Sequence, residues 1–188
     1  ENTIAVQVTN KQPSSRWYSG SGIYRDVTLS YRDKVQVAEN GNHITTPKLA
    51  QQKDGNVETQ IQSKIKNTAK NLAKVFVEQQ IFTKEGKAVS DLIRSVTKNL
   101  AGNETADFKQ TIFVNKPTLW TTKSYNPQLY VLKTKVYNEG QLVDVTEDTF
   151  GYRYFNWTAK DGFSLNGERM KFHGVSIHHD NGALGAED

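Results

Sequence analysis

Cysteine is absent from this 188-residue sequence. Because disulfides, zinc–thiolate sites and cysteine nucleophiles all need a thiol, the sequence excludes each of them. Long apolar runs are also absent, and no stretch approaches the roughly 18 consecutive apolar residues of a transmembrane helix. Hydrophobic residues make up 36% of the sequence, which is enough to build the core of a two-layer domain. The sequence is compatible with a bacterial protein that is cytoplasmic and equally with one that is secreted or held at the cell surface.

Clustered positive charge is lacking as well, although the net charge is +4 at pH 7. The lysines stand singly among polar and acidic residues. A surface that follows a nucleic-acid backbone would collect them on one face beside aromatic side chains. The distribution therefore predicts no nucleic-acid partner.

The middle of the sequence alternates between apolar and polar side chains. Three segments show the pattern most clearly: 57–66, 108–114 and 130–136. Successive side chains of a strand point to opposite faces, so the alternation predicts half-buried antiparallel strands. We expect Val57, Ile61 and Ile65 to share the buried face, and Trp120 to lie in the core.

Turn sequences separate these segments at short spacing. They combine glycine with Asn, Asp or Glu, at residues 39–42, 53–56, 84–87, 101–103 and 138–140. Residues 90–99 could form a short helix, but their β-branched residues favour a strand. The pattern predicts an all-β fold, with seven to nine strands in an immunoglobulin-like β-sandwich over residues 31–153.

The two ends differ from the middle. Residues 154–188 contain two hairpin signals, Asp161-Gly162 and Asn166-Gly167. Residues 3–8 and 171–178 read as strands whose edges need a partner. We expect at least one of them to pair with the sandwich edge, with the other terminal block, or with a second copy of the chain in a homo-oligomer.

Three segments, in this order, resemble glycoside hydrolases of family 2. Residues 15–27 read Ser-Arg-Trp-Tyr-Ser-Gly-Ser-Gly-Ile-Tyr-Arg-Asp-Val; residues 117–120, 127–130 and 150–153 read Pro-Thr-Leu-Trp, Pro-Gln-Leu-Tyr and Phe-Gly-Tyr-Arg; residues 163–168 and 171–180 read Phe-Ser-Leu-Asn-Gly-Glu and Lys-Phe-His-Gly-Val-Ser-Ile-His-His-Asp. The run His-His-Asp-Asn-Gly-Ala-Leu-Gly-Ala-Glu at residues 178–187 is similar to β-galactosidases of Gram-positive bacteria.

The resemblance implies a three-part organisation. Residues 1–30 would end a sugar-binding jelly-roll domain, residues 31–153 would form the immunoglobulin-like sandwich, and residues 154–188 would begin a catalytic (β/α)8 barrel. It also implies part of a retaining exo-β-galactosidase, with a β-galactoside substrate and the other domains of the same enzyme as partners. A β-glucuronidase or β-mannosidase of the family is one alternative, and a non-catalytic carbohydrate-binding or adhesion module is another.

The candidate substrate-binding residues are His178 and Asp180. Two residues apart on a strand, they can both face a barrel mouth and hydrogen-bond to sugar hydroxyls. His178 and His179 would point to opposite faces, so the sequence predicts no metal site there. His173 is expected to be a structural histidine.

A second candidate group is Arg16, Trp17 and Tyr18. Its aromatic faces could stack on a sugar, but a Gly-rich loop with arginine better suits a domain junction. No catalytic residue is expected, since the resemblance places both glutamates on later barrel strands and leaves Glu168 and Glu187 without that role. No cofactor is expected either.

Overall fold

A computed structural model describes residues 3–9, 11, 22–23, 26–123 and 127–176. By its internal contacts the chain divides into two compact units. The larger is Tyr31–Lys171, and the smaller combines Glu1–Ser30 with Phe172–Asp188. The described part of the smaller unit contains no helix or strand. Across all described residues, no helix has the length and apolar character needed to span a membrane.

The larger unit is almost entirely β-structure. Its strands are β1 (Val35–Thr45), β2 (Asn56–Asn67), β3 (Ala73–Thr83), β4 (Ile93–Arg94), β5 (Lys98–Leu100), β6 (Thr105–Asn115), β7 (Tyr130–Asn138), β8 (Gln141–Phe150), β9 (Phe155–Thr158), β10 (Gly162–Leu165) and β11 (Glu168–Arg169). One short helix, α1 (Leu49–Gln52), stands between β1 and β2.

Two antiparallel sheets form the predicted sandwich. The smaller has the order β1-β2-β6; the larger has the order β4-β3-β7-β8, with β5 also paired to β3. Val57, Ile61 and Ile65 are all buried on one face of β2, as the alternation predicts. Residues 90–99 contribute strands rather than a helix, which confirms that prediction too.

The space between the sheets holds two hydrophobic clusters. The first cluster contains Val35, Val37, Ile65, Ala73, Val75, Val77, Leu100, Phe108 and Val136. The second cluster contains Leu49, Val57, Ile61, Ile81, Ile112, Val114, Tyr130, Leu132 and Tyr152. Full burial of a Val, Leu or Ile side chain contributes about 1.5–3 kcal/mol, so these clusters are the main source of stability.

Side chains close one open side of the sandwich, where the edge strands β1 and β8 face each other. The Val37 amide donates a hydrogen bond to Asp144 Oδ2 at 2.9 Å. Arg32 Nη1 donates to the Val37 carbonyl at 3.2 Å and lies 3.8 Å from the same carboxylate oxygen. Inward-pointing charged side chains of this kind occupy the free backbone groups of an edge strand, and they therefore oppose its pairing with another chain.

A third sheet follows the sandwich, in the order β11-β10-β9. Its two hairpins occur at the predicted turns, where Gly162, Asn166 and Gly167 have positive φ of 71°, 53° and 84°. Asn166 Nδ2 donates to the Trp120 carbonyl at 2.8 Å. Residues 154–171 therefore contact the sandwich, whereas their assignment to a barrel domain remains a prediction.

The structure corrects three expectations. The first is that residues 39–42 form a turn between strands: β1 runs through them with a shift of register instead. The other four turns lie between elements, as expected. The second is that Trp120 lies in the core, whereas it is half-buried at the rim with Arg153 Cζ 4.9 Å from its ring centroid.

The third correction concerns the terminal strands. Neither residues 3–8 nor the described part of the second segment, 171–176, forms a strand, and Ile4 is 84% exposed. Alternation alone does not make a strand, because its amide and carbonyl groups need a ladder partner. Pairing of a terminal segment with the sandwich edge or with the other terminal block is therefore not found among the described residues, and pairing with a second copy of the chain stays a prediction.

Candidate functional site

The sequence-predicted site residues lie outside the described part of the chain. This holds for Arg16, Trp17 and Tyr18 and equally for His178 and Asp180. Their roles therefore remain predictions.

Two other residues singled out by sequence are described. His173 is exposed, and Glu168 lies on the short strand β11, where it forms an ion pair with Lys123. Within residues 3–9, 11, 22–23, 26–123 and 127–176, no cluster of three or more His, Asp or Glu side chains could hold a metal ion.

A layer of polar side chains crosses the interior of the sandwich between the two hydrophobic clusters. We call it the polar layer. Each long strand of both sheets supplies at least one member: Asn42 from β1, Ser63 from β2, Gln79 from β3, Gln110 from β6, Thr134 from β7, and Thr146 and Asp148 from β8. Buried polar groups are costly unless they are hydrogen-bonded, so the contacts within this layer matter.

Asn42 is the centre of the polar layer. Its Nδ2 donates to Asp148 Oδ2 at 2.6 Å and to Thr146 Oγ1 at 3.1 Å. Its Oδ1 accepts a hydrogen bond of 2.5 Å from Ser63 Oγ. Because Ser63 is in the smaller sheet and Asp148 is in the larger one, a single amide joins the two sheets.

Gln79 makes a second connection between the sheets. Its Nε2 donates to Ser63 Oγ at 2.9 Å and to Thr134 Oγ1 at 3.0 Å. Its Oε1 and both amide atoms of Gln110 are buried without a hydrogen-bond partner in the described chain. The rest of the layer is connected through Asn42, Ser63, Gln79 and Thr134.

A β-bulge in β1 brings Asn42 into the layer. The register of β1 against β2 shifts between Val37 and Asn42, and Asn40 has a φ of 50°. Gly41 is buried in the bulge, where an added Cβ would lie 2.7 Å from the Ala38 carbonyl oxygen. Glycine is therefore required at this position, and the bulge turns the Asn42 side chain inward.

Tyr152 makes a separate polar contact within the second cluster. Its hydroxyl lies 2.9 Å from Thr59 Oγ1, and its ring packs edge-on against those of Tyr130 and Phe150 at centroid distances of 5.0 and 5.2 Å. Burial raises the pKa of the Tyr152 hydroxyl well above its usual value, and the hydrogen bond with Thr59 partly offsets this. Tyr152 therefore stays neutral in the folded protein.

The third sheet exposes an aromatic face. Phe155 and Trp157 alternate along β9 and are 64% and 62% exposed. Phe163 on β10 lies opposite Trp157, with a centroid distance of 4.8 Å to its ring. We did not identify this face from the sequence, although alternation beside the Asp161-Gly162 turn was a usable signal.

Comparison with known proteins gives the class of this protein. The family model of the glycosyl hydrolases family 2 matches residues 41–153, which include Gly41 of the bulge, the polar layer and Tyr152. The chain is 37% identical, over 98% of its length, to the Bacteroides ovatus protein named beta-galactosidase BoGH2A. The chain belongs to glycosyl hydrolase family 2.

Solved structures agree with this assignment. A glycosyl hydrolase family 2 member from Bacteroides cellulosilyticus superposes with a TM-score of 0.72 and 30% identity, over 84% of this chain and 19% of that one. Bacteroides uniformis beta-glucuronidase 2, covalently bound to cyclophellitol-6-carboxylate aziridine, gives 0.69 and 25%, over 82% and 19%. The chain spans about a fifth of the length of these relatives, including 21% of BoGH2A.

Proposed function

We propose that the chain is part of a retaining exo-β-galactosidase, in which it supplies the spacer sandwich and one edge of the substrate pocket. The observation that carries this proposal is its identity of 37% to a protein named beta-galactosidase, over nearly the whole chain but only 21% of that relative. A sequence match of that extent supports common descent of the surrounding enzyme as well as of the sandwich.

The described carboxylates that lie inside the sandwich have structural roles. Asp144 and Asp148 each accept a hydrogen bond from β1. A retaining glycosidase needs two carboxyl groups about 5–5.5 Å apart in an open cleft, one as nucleophile and one as acid/base. We therefore assign the catalytic pair to barrel strands that lie outside this chain.

The proposed reaction is a double displacement. One carboxylate attacks the anomeric carbon while the other carboxyl group protonates the departing glycosidic oxygen, so that a covalent galactosyl–enzyme forms. The carboxyl group that first served as the acid, now ionised, then removes a proton from water. This water attacks the same carbon and releases galactose with its original β configuration. The covalent bond between Bacteroides uniformis beta-glucuronidase 2 and cyclophellitol-6-carboxylate aziridine supports a nucleophilic mechanism for a family member.

In this proposal His178 and Asp180 bind hydroxyl groups of the terminal galactose. Hydrogen bonds from fixed side chains orient the ring so that the anomeric carbon faces the nucleophile. Arg16, Trp17 and Tyr18 lie at the junction between the jelly-roll domain and its neighbour.

A β-glucuronidase is the second candidate, because a solved family member of that activity matches at a TM-score of 0.69. The two substrates differ at C6, where a glucuronide carries a carboxylate and a galactoside a hydroxymethyl group. A pocket that binds the carboxylate needs a cationic or donor-rich partner there.

The test is kinetic and uses the full-length parent enzyme. We expect its kcat/KM for a nitrophenyl β-galactoside to exceed that for the β-glucuronide and the β-mannoside, and proton NMR to show β-galactose as the first product. A preference for the glucuronide would transfer the assignment to the second candidate. The purified 188-residue chain serves as the control and should not hydrolyse any of the three; turnover by it would contradict the absence of the catalytic pair.

A further inference from the structure

Gln79 and Gln110 are two buried glutamines on opposite sheets of the sandwich. Gln79 lies on β3 between Val77 of the first cluster and Ile81 of the second. Gln110 has the equivalent position on β6, between Phe108 of the first cluster and Ile112 of the second. Both side chains therefore point into the polar layer, and both residues are at least nine-tenths buried.

The hydrogen-bonding groups of this pair are incompletely used. Gln79 donates through Nε2 to Ser63 and Thr134, but its Oε1 accepts nothing; Gln110 uses neither Nε2 nor Oε1. Gln110 Nε2 is a donor and Gln79 Oε1 is an acceptor, so the two would be natural partners. They nevertheless form no hydrogen bond with each other.

We propose that the polar layer contains a built water site between Gln79 and Gln110. A water molecule there accepts a hydrogen bond from Gln110 Nε2 and donates one to Gln79 Oε1. The second O–H group of the same water can donate to Gln110 Oε1. Buried waters characteristically make two to four hydrogen bonds to polar groups that otherwise lack partners.

Water fits these groups better than an ion does. A metal cation binds acceptor oxygens and would leave the Gln110 NH2 group without an acceptor, whereas an anion would be repelled by Gln79 Oε1. Water alone both donates and accepts. Seated between the two amides, it extends the connection from Asn42 and Ser63 to β6, so that every long strand joins one hydrogen-bonded layer.

The test combines a crystal structure of the 188-residue chain, at a resolution that shows ordered water, with magnetic relaxation dispersion, which counts long-lived waters in solution. We expect electron density for water within hydrogen-bonding distance of both Gln79 Oε1 and a Gln110 amide atom. Gln110→Met keeps a similar side-chain volume without the amide, and it should lower the count of long-lived waters by at least one. The control is Gln60→Met on the exposed face of β2, which should leave the count unchanged.

Two results would overturn the proposal. One is a direct hydrogen bond between the two glutamines with no density between them, and the other is the same count of long-lived waters in wild type and Gln110→Met. If Gln110→Met does not fold, the wild-type crystal structure decides the matter, because its density shows either a water or a dry contact.

Discussion

Asn42 Nδ2 lies 2.6 Å from Asp148 Oδ2, although the two residues are 106 positions apart in the sequence. The first is held inward by the bulge of β1 and the second by the regular alternation of β8. Their contact joins the edge strands β1 and β8 of the two sheets. The hydrogen bond from Val37 to Asp144 joins the same two strands at a second position. The sandwich is thus joined by specific polar contacts as well as by hydrophobic packing.

We expect Asn42→Ala to lower the free energy of unfolding by about 2–3 kcal/mol, because it removes the donor to the Asp148 carboxylate and the acceptor of the Ser63 O–H group. Urea denaturation followed by tryptophan fluorescence measures the change. Asn56→Ala, at the exposed start of β2, is the matched control and should cost under about 0.5 kcal/mol. Equal effects of the two substitutions would show that the polar layer contributes nothing specific.

Gly41→Ala tests the bulge. The new Cβ would lie 2.7 Å from the Ala38 carbonyl oxygen and 3.0 Å from the Lys64 carbonyl oxygen, so the backbone has to move. We expect a loss of about 2 kcal/mol or more, read as a lower thermal midpoint. At Gly55 the nearest atom to an added Cβ is 3.9 Å away, so Gly55→Ala should be near neutral. A Gly41→Ala protein as stable as Gly55→Ala would contradict the tight geometry of the bulge.

Tyr152 predicts a pH dependence in the alkaline range. Burial raises its pKa in the folded state, so above the ordinary tyrosine pKa near 10 the unfolded chain loses this proton while the folded chain keeps it. Its contribution to stability is complete below pH 10 and declines as the pH rises. The advantage of wild type over Tyr152→Phe should shrink by about 1.4 kcal/mol between pH 9 and pH 11, because the loss sets in only near pH 10 and each full pH unit above that costs about 1.4 kcal/mol. An advantage that stays constant would mean that the hydroxyl ionises as freely in the folded protein as in the unfolded one.

The proposed substrate contacts can be tested in the parent enzyme. His178→Ala and Asp180→Ala should each lower kcat/KM for a β-galactoside by more than tenfold, because a lost hydrogen bond from these residues to a sugar hydroxyl costs about 1.5–3 kcal/mol in the transition state. His173→Ala removes a histidine that is exposed in the described structure and should change kcat/KM less than twofold. Near-native kinetics in both test variants would remove these residues from the galactose site.

The strands of the sandwich were predictable because a period of two in burial is a local property. In β2 the sequence placed Val57, Thr59, Ile61, Ser63 and Ile65 on one face, and all five are buried. The same reasoning failed at residues 39–42, where Asn-Gly is as typical of a bulge as of a hairpin turn. Only the continuing pairing of β1 with β2 distinguishes the two.

The sequence by itself determined the all-β class, the approximate number of strands, the two hairpins of the third sheet and, through its motifs, the family. These depend on neighbours in the chain, whose geometry the backbone dictates. Only the tertiary structure decided that Asn42, Ser63, Gln79 and Asp148 form one connected layer. Ser63 and Gln79 are 16 residues apart, and Asn42 and Asp148 are 106 apart. Partners so distant in sequence meet only when the two sheets have packed. Each polar side chain then loses its hydrogen bonds to water and needs a hydrogen-bonding group on the opposite sheet in their place.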